Sequence, residues 1–498
     1  WQQQLEGTPT SLAAADGKLF VATAEGALLC FGAKAGEPRK YPRAAAPLPV
    51  EDAWSKPAAD ILQRTGASEG FCVVLGLTDG LLVTELLRQS KLRLLAVDAD
   101  AARVNALRDK LVAAGLYGTR AEVFVVSDAD HGEPSEFLLP PYLASLLLTE
   151  RPSGALRTVE QAPRLFAMLR PYGGVLCQDL PAAGGVVLAK AVESNHLVNA
   201  KVEESGRFLL LRREGALPGS ADWTHETADA ARSYFSKDQL VQAPLGVLWY
   251  GDGADHGFFK TKDYGVGVKP QVVGGRLFAF QIHTNSLHAL DVYTGRLLWK
   301  QPVEHFTRYA SMEDGVYVAG GDKCVVHDPA TGKPLKTFPY TTKPDAKSFV
   351  SDLRVGDDVI VIAADYQKVR AIEKGLWDSK VLVALDRQTG KQLWTREAQE
   401  RFNNNALALG GGLAFCTDSP AAGEAAAAAR KGELPKEAPS ATMALDARTG
   451  ETKWTATTTN AYRTYNADGW LSLRGNDDWL AYSAPQGQSA EAGLLLAG

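Results

Sequence analysis

The chain has 498 residues, with 53 Lys and Arg against 58 Asp and Glu, and a formal net charge of -5. This mild charge, without any run of basic residues, excludes the electrostatic footprint of a nucleic-acid-binding protein. The sequence has no stretch of about 18 uncharged apolar residues that would cross a membrane. The five cysteines are scattered and form no C-x-x-C pair, which argues against a disulfide framework or a zinc site.

The chain opens with part of a β-sheet. Residues 13–32 (AAADGKLFVATAEGALLCFG) alternate apolar runs with Gly-containing turns, which predicts three short strands by Gly32. A fourth, closing strand (APLGVLWY) does not follow until Ala243. We therefore expect the residues between Gly32 and Ala243 to be an insertion at a loop of this sheet.

The inserted segment alternates apolar strand runs with helical patterns. The strand runs are FCVVLGL, LRLLAVD, AEVFVVSD, SLLLTE and GGVLCQDL, and helical patterns such as AARVNALRDKLVAAG lie between them. That alternation predicts a parallel sheet with crossover helices, as in Rossmann-like α/β domains. We place this domain at residues 51–215.

The order of these elements resembles a class I S-adenosylmethionine (SAM)-dependent methyltransferase over residues 55–213. The resemblance implies that Gly76 and Gly80 form the glycine turn where the backbone approaches the cofactor. It also implies that Asp98 contacts the ribose hydroxyls and that Asp128 lies near the adenine. As an alternative, the two glycines and Asp98 are turn and cap residues of a Rossmann-like scaffold that binds no cofactor.

The segment also departs from the methyltransferase pattern. Val74 stands where an acidic residue usually precedes the first glycine, and Thr78 replaces the middle glycine. The tripeptide Pro140-Pro141-Tyr142 is similar to the amino-methyltransferase motif but precedes the apparent fourth strand instead of following it. We interpret that match as accidental.

A second pattern, D-x-x-T-G, occurs four times in the remaining chain. The four copies with the strand that follows each are Asp291–Trp299, Asp328–Lys336, Asp386–Trp394 and Asp446–Trp454. In such a turn Asp hydrogen-bonds the amides ahead of it and Gly takes the φ > 0 position. The closing Trp is predicted to wedge between neighbouring sheets. In the second copy Lys336 replaces it, so that wedge is either lost or supplied from elsewhere.

The motif A-D-G-x-L-F-V near the start and D-x-x-T-G-x-x-L-W further along resemble the PQQ-type repeat of quinoprotein-dehydrogenase-like propellers, which include the BamB assembly proteins. The resemblance covers residues 1–33 and about 220–498. It implies an all-β propeller, of about eight blades when complete, that carries the methyltransferase-like domain as an insertion. Trp1 resembles the end of an earlier closing strand. Either the terminal pieces complete one blade together or blades lie beyond this sequence, and we favour the second interpretation.

Enzymes of the propeller family hold pyrroloquinoline quinone (PQQ) over the axis with a stacked Trp, a divalent metal such as calcium and often a vicinal disulfide. This chain has no adjacent cysteine pair. The segment that begins at Trp223 (WTHETADAARSYFSKDQ) resembles the start of that propeller but has no recognisable metal triad. Asp252, Asp255 and Asp352 are interpreted as solvated loop residues. We predict no metal site, and we favour SAM over PQQ as a possible cofactor.

Three functions follow as hypotheses. The first is a non-catalytic propeller that binds protein partners through its faces and carries a degenerate methyltransferase-like domain. The second is an active SAM-dependent methyltransferase, and the third is a PQQ-dependent oxidoreductase. No catalytic residue is predicted for any of them. Family resemblance favours a periplasmic or otherwise exported location, which disfavours a methyltransferase because SAM is cytosolic.

Overall fold

The structure is a computed structural model. It describes residues 2–34, 46–48, 50, 52–126, 139–151, 159–179, 184–250, 269–281, 284–304, 307–342, 349–365, 378–403, 406–419, 431–433, 440–458, 470–474, 479–483 and 494–497. The chain divides into a small unit (Trp1–Pro47 with Ala113–Gly115) and a large unit (Leu48–Val112 with Leu116–Gly498). None of the helices that the structure describes has the length and apolarity to span a membrane.

The small unit contains a three-stranded antiparallel sheet. Its strands are β1 (Pro9–Ala15), β2 (Lys18–Thr23) and β3 (Leu28–Gly32), in that order across the sheet. Gly17 and Gly26 have φ of 66° and 83° at the two turns, where a side chain would be strained. The three strands predicted up to Gly32 are therefore present.

The large unit begins with a seven-stranded α/β sheet. Its strands in chain order are β4 (Glu69–Leu75), β5 (Lys91–Asp98), β6 (Ala121–Val125), β7 (Ala144–Leu148), β8 (Gly174–Asp179), β9 (Ala200–Ser205) and β10 (Phe208–Arg213). Its helices are α1 (Asp52–Thr65), α2 (Leu81–Gln89), α3 (Ala101–Ala113), α4 (Ala162–Met168) and α5 (Gly184–Ser194). The order across the sheet is β6-β5-β4-β7-β8-β10-β9.

Strands β4 to β8 run parallel, and β10 runs antiparallel to both of its neighbours. The order therefore turns back at β4, the first strand, as in doubly wound Rossmann-like folds, where ligands bind outside the carboxyl ends of the strands at this point. Both faces of the sheet are covered: Cys72 and Val74 lie in one apolar cluster, and Val73 and Leu147 lie in the other. Burial on both sides explains why these strands are continuous apolar runs in the sequence.

The rest of the large unit consists of antiparallel sheets that form propeller-like blades. The first has strands β11 (Gln271–Val273), β12 (Arg276–Gln281), β13 (Ser286–Asp291) and β14 (Leu297–Pro302). The second has β15 (Arg308–Met312), β16 (Gly315–Gly320), β17 (Lys323–His327) and β18 (Pro334–Pro339). In each blade the strands pair in chain order.

The third and fourth blades are joined by one long strand. The third has β19 (Phe349–Val355), β20 (Val359–Asp365), β21 (Asp378–Asp386) and β22 (Gln392–Asn403), and the fourth has β23 (Ala408–Gly410), β24 (Leu413–Ser419), β25 (Ser440–Asp446) and β26 (Thr452–Thr458). The 12-residue β22 pairs with β21 and, near its end, with β24. A last sheet has β27 (Trp470–Arg474), β28 (Trp479–Ser483) and β29 (Leu494–Ala497).

The D-x-x-T-G turns have the geometry that their sequence predicts. In the third copy, Asp386 Oδ1 accepts hydrogen bonds from the amides of Gln388 and Thr389 at 3.1 and 2.9 Å. Gly390 has a φ of 72°. The pKa of the Asp386 carboxyl lies well below its usual range. The largest cause is the hydrogen bond from the Thr389 amide, followed by those from the side chains of Arg448 and Thr389.

Two of the closing tryptophans, Trp299 and Trp394, each join their blade to a later turn. Trp299 Nε1 donates to Pro329 O at 3.0 Å, and Trp394 Nε1 donates to Ala447 O at 2.9 Å. The wedge that Lys336 does not provide is supplied by Phe338, whose ring packs on Gly390. Since a Cβ at Gly390 would overlap that ring, the turn glycine is needed for close packing as well as for its φ.

The predicted closing strand at Ala243 is not formed. Residues 243–250 have no strand structure, and none of the described residues forms a strand ladder with them. Trp249 Nε1 nevertheless donates to Val292 O at 2.8 Å, the same kind of bond that the other closing tryptophans make. The side-chain contact is present without the strand because it depends on the next blade, whereas a strand needs a backbone partner.

Candidate functional site

The glycine turn after β4 lies at the point where the strand order turns back. Gly76 and Gly80 have φ of 90° and 74°, and Gly80 is the N-cap of α2. A Cβ at Gly76 would lie 2.7 Å from Nε of Arg151, and one at Gly80 would lie 2.9 Å from Leu107 Cδ1. Glycine is therefore required at position 76 because the Arg151 side chain lies against it, and at position 80 because the turn packs against α3.

Asp98 ends β5 beside this turn, and its side chain is fully buried. Its Oδ2 accepts from the Leu77 amide at 2.6 Å and from Arg151 Nη2 at 2.8 Å. Its Oδ1 accepts from the Asp100 amide at 2.8 Å and from Arg103 Nη1 at 3.2 Å. A carboxylate has about four lone-pair positions, so these four donors already use the acceptor capacity of Asp98.

Burial alone would raise the pKa of Asp98. The hydrogen bonds from the Leu77 and Asp100 amides and the Arg151 guanidinium favour the ionised form and outweigh burial, so the pKa is lowered. The carboxylate is therefore charged at neutral pH, and its charge is balanced by side chains of the same domain.

A second carboxylate, that of Glu150, covers the N-terminus of α2. Its Oε2 accepts from the amides of Thr78 and Gly80, both at 2.9 Å, and its Oε1 accepts from the Val83 amide at 3.3 Å. Helix N-termini favour negative charge because their first amides have no partner within the helix. The chain thus places its own carboxylate where an anionic group of a ligand would bind.

Arg151, the next residue, spans the rest of the crevice. Its side chain lies against Gly76 and reaches Asp98, and a quarter of it is exposed. We call these two residues the Glu150–Arg151 pair. One member neutralises the helix N-terminus and the other neutralises the acid at the end of β5.

The structure thus brings together three of the four predicted cofactor-binding residues, Gly76, Gly80 and Asp98. The fourth, Asp128, lies outside the described residues. The sequence reasoning missed the Glu150–Arg151 pair, because SLLLTE was interpreted only as the end of a strand. The signal that would have indicated it is an acidic and a basic residue two and three positions after the strand next to β4.

Tyr142 of the Pro-Pro-Tyr sequence lies elsewhere. It has a φ of 65° and precedes β7, so it sits at the amino edge of the parallel sheet, opposite the crevice. Its ring stacks with the guanidinium of Arg213 at 5.1 Å. This position supports the interpretation that the motif match is accidental.

The Trp223 segment contacts the first strands of four blades in succession. The backbone of Trp223 pairs with that of Val272. Thr224 O accepts a hydrogen bond from the Ser311 amide at 2.9 Å, and Ala230 O accepts one from the Leu409 amide at 2.9 Å. His225 Nε2 accepts from the Val355 amide at 3.0 Å. These four partners lie in β11, β15, β19 and β23 or directly beside them.

His225 and Asp352 are buried parts of this arrangement. Burial, followed by the charges of Arg354 and Arg387, lowers the pKa of His225 well below its usual value, so the imidazole is neutral. Asp352 was predicted to be a solvated loop residue, and that is wrong: it lies in β19, is 9 % exposed and pairs with Arg354 at 2.9 Å. The described residues contain no cluster of three His, Cys, Asp or Glu that could hold a metal ion.

Comparison with known proteins identifies one family over part of the chain. Residues 376–475 match the family described as outer membrane protein assembly factor BamB. No curated protein sequence matches the chain. The family match shows BamB-like repeats over residues 376–475, and the strand order shows antiparallel blades beside a Rossmann-like α/β sheet.

Similar solved structures include BamB from Moraxella catarrhalis, with 14 % identity over 45 % of this chain and 61 % of that chain, at a TM-score of 0.30. A putative SAM-dependent methyltransferase from Methanococcus maripaludis has 12 % identity over 33 % of this chain and 86 % of its own, at a TM-score of 0.28. A SAM-dependent methyltransferase from Aquifex aeolicus has 16 % identity over 31 % of this chain and 87 % of its own, at a TM-score of 0.24.

Proposed function

We propose that the protein is a non-catalytic scaffold or binding protein whose methyltransferase-like domain is closed to cofactor. The observation that carries the proposal is that Glu150 already accepts hydrogen bonds from the amides at the N-terminus of α2, while Arg151 already pairs with the Asp98 carboxylate. A ligand that needs these groups must first displace the pair. Displacing Arg151 breaks its ion pair with the buried Asp98 carboxylate. Leaving a buried charge without its partner costs about 3–5 kcal/mol, equivalent to a loss of affinity of at least about a hundredfold.

The propeller would then supply the binding function. The matching family is described as an assembly factor for outer membrane proteins, and by that likeness we propose protein partners bound by the blade faces. Under this proposal the protein works outside the cytoplasm, where SAM is not supplied.

A second candidate, the SAM-dependent methyltransferase, is favoured by one observation: Gly76, Gly80 and Asp98 lie together at the predicted crevice. Under this function these residues and Asp128 remain the proposed cofactor contacts. Binding would require Arg151 to leave Asp98 and Glu150 to leave the N-terminus of α2.

Calorimetric titration of the full chain with millimolar SAM separates the two functions. A closed crevice predicts no saturable binding to the natural chain. Saturable binding that the Asp98→Asn substitution abolishes would contradict the scaffold proposal and support the methyltransferase.

A double variant tests the role of the Glu150–Arg151 pair directly. Glu150→Gln keeps the side-chain volume and Arg151→Gln shortens the side chain, and together they remove both charges. We expect this double variant to gain measurable SAM affinity. Glu204→Gln with Arg207→Gln, at two exposed positions of the same domain, is the matched control and should gain none. If the crevice variant gains no affinity, the pair does not close the crevice.

A further inference from the structure

The α/β domain and the first blade share a buried ion pair. Arg170, between α4 and β8, donates through Nε to Oδ2 of Asp291, the acid of the first D-x-x-T-G turn. Their side chains are 15 % and 3 % exposed. Arg170 also donates to its own neighbours, Pro171 O at 2.9 Å and Tyr172 O at 3.2 Å, which fix its orientation.

In the third repeat, the corresponding aspartate pairs with an arginine of the next repeat instead. Asp386 gives one oxygen to its own turn, and its Oδ2 accepts from Arg448 Nη2 of the following repeat at 2.9 Å. Asp291 likewise gives Oδ1 to the Tyr293 amide at 2.9 Å. Its Oδ2 accepts from an arginine of the α/β domain. Arg170 thus takes the position that a neighbouring repeat's arginine takes at Asp386.

An aromatic contact extends the same interface. Tyr142 and Tyr293 meet edge to face, with ring centroids 5.7 Å apart, and such pairs stabilise beyond simple area burial. Tyr172 packs so closely on Gly275 that a Cβ there would lie 2.7 Å from its ring. Burial is the largest cause of the raised pKa of Tyr293, in agreement with a dry contact.

The α/β residues of this interface share one edge of the parallel sheet. Tyr142 precedes β7, Arg170 and Tyr172 precede β8, and Glu69, which pairs with Arg296 at 3.4 Å, begins β4. These are the amino ends of the strands, whereas the crevice lies at the carboxyl ends. The blade therefore holds the domain by the edge opposite the crevice.

We propose that these contacts couple the α/β domain and the first blade into one cooperative unit, so that neither opens without the other. The inserted domain then has a fixed orientation on the propeller, with its crevice edge directed away from the first blade. This coupling does not depend on whether the crevice binds a ligand.

Hydrogen exchange of the full chain tests the coupling. Arg170→Gln removes the charge that balances buried Asp291. We expect exchange to rise about tenfold, the factor equivalent to about 1.4 kcal/mol, both in residues 286–302 of the blade and in residues 139–150 of the α/β domain. Arg207→Gln is the control, because Arg207 belongs to the same domain but forms an exposed pair with Asp179 at 3.3 Å, and such pairs contribute little.

A second variant approaches the interface from the blade. Tyr293→Gln places at this turn position the residue that the third repeat has at Gln388, so the turn itself is preserved. Faster exchange in residues 139–150 is the expected result. If residues 139–150 exchange at the natural rate in the Tyr293→Gln variant and residues 286–302 do so in the Arg170→Gln variant, the two parts are independent and the proposal is wrong.

Discussion

The α/β crevice and the repeat turns use aspartate in the same way. Asp98 and Asp386 each accept hydrogen bonds from two backbone amides and from an arginine side chain. The pKa of each carboxyl is lowered. They differ in burial: the Asp98 side chain is fully buried, whereas 15 % of that of Asp386 is exposed. From the sequence, Asp98 was predicted either to contact a cofactor or to serve as a turn or cap residue, and Asp386 was predicted to form a turn. Their shared chemistry teaches that the acid of the crevice also serves the fold.

The two regions also use glycine in the same way. The absence of a side chain at Gly76 lets Arg151 pack against the backbone. In the same way Trp394 packs on Gly450 and Trp299 packs on Gly332. In the repeats, the side chain that fills the space comes from a neighbouring strand and closes the structure. In the crevice, the same close approach brings in a charged side chain, in the place where a doubly wound fold ordinarily receives a ligand.

The largest effect is expected for Asp98→Ala. The change leaves Arg151 and the Leu77 and Asp100 amides without their buried acceptor, and breaking such a pair costs about 3–5 kcal/mol. Denaturant unfolding followed in the α/β domain would measure the loss. The same substitution at Asp386, in a more exposed turn, should lower stability less. Equal losses would show that burial does not distinguish the two acids.

A smaller effect is expected for Gly76→Ala. The φ of 90° and the contact with Arg151 predict destabilisation of about 1–3 kcal/mol from strain at a left-handed position. Part of this loss comes from the clash, so it should be reduced in a chain that also carries Arg151→Ala. A double-mutant cycle measures the coupling. Strict additivity would mean that Arg151 does not occupy the space above Gly76.

Local chemistry explains what the sequence could predict. The D-x-x-T-G turns follow from residues within five positions of one another, so their hydrogen bonds were predictable. Gly76, Gly80 and Asp98 could be placed together because neighbouring parallel strands end at the same edge. The identification of blades beside a Rossmann-like sheet likewise rested on repeat and alternation patterns, which the structure and the family match confirm.

Long-range packing explains what the sequence could not predict. Glu150 reaches the amides of Thr78 and Gly80 from about 70 positions away, and no local pattern indicates that contact. Asp352 was misjudged although its partner Arg354 is only two positions away, because the burial of that pair depends on contacts such as the one from Arg354 to Thr227, 127 positions away. The closing strand predicted at Ala243 had the right side-chain pattern, but a strand also needs a backbone neighbour, which a sequence pattern does not reveal.

The smallest effect concerns pH. The pKa of Asp98 is lowered in the folded protein, whereas in the unfolded chain it should be about 3.9. A lowered folded pKa means that the ionised acid stabilises the fold above the unfolded pKa, and that this stabilisation is lost as the pH falls through the folded value. The difference in unfolding free energy between the natural chain and Asp98→Asn should therefore be constant near neutrality and shrink below pH about 4. Denaturant unfolding of both proteins across this range measures it. Since Asp98→Asn removes only this titration, a difference that does not change with pH would mean that the Asp98 carboxylate is not held ionised by Arg151 and the turn amides.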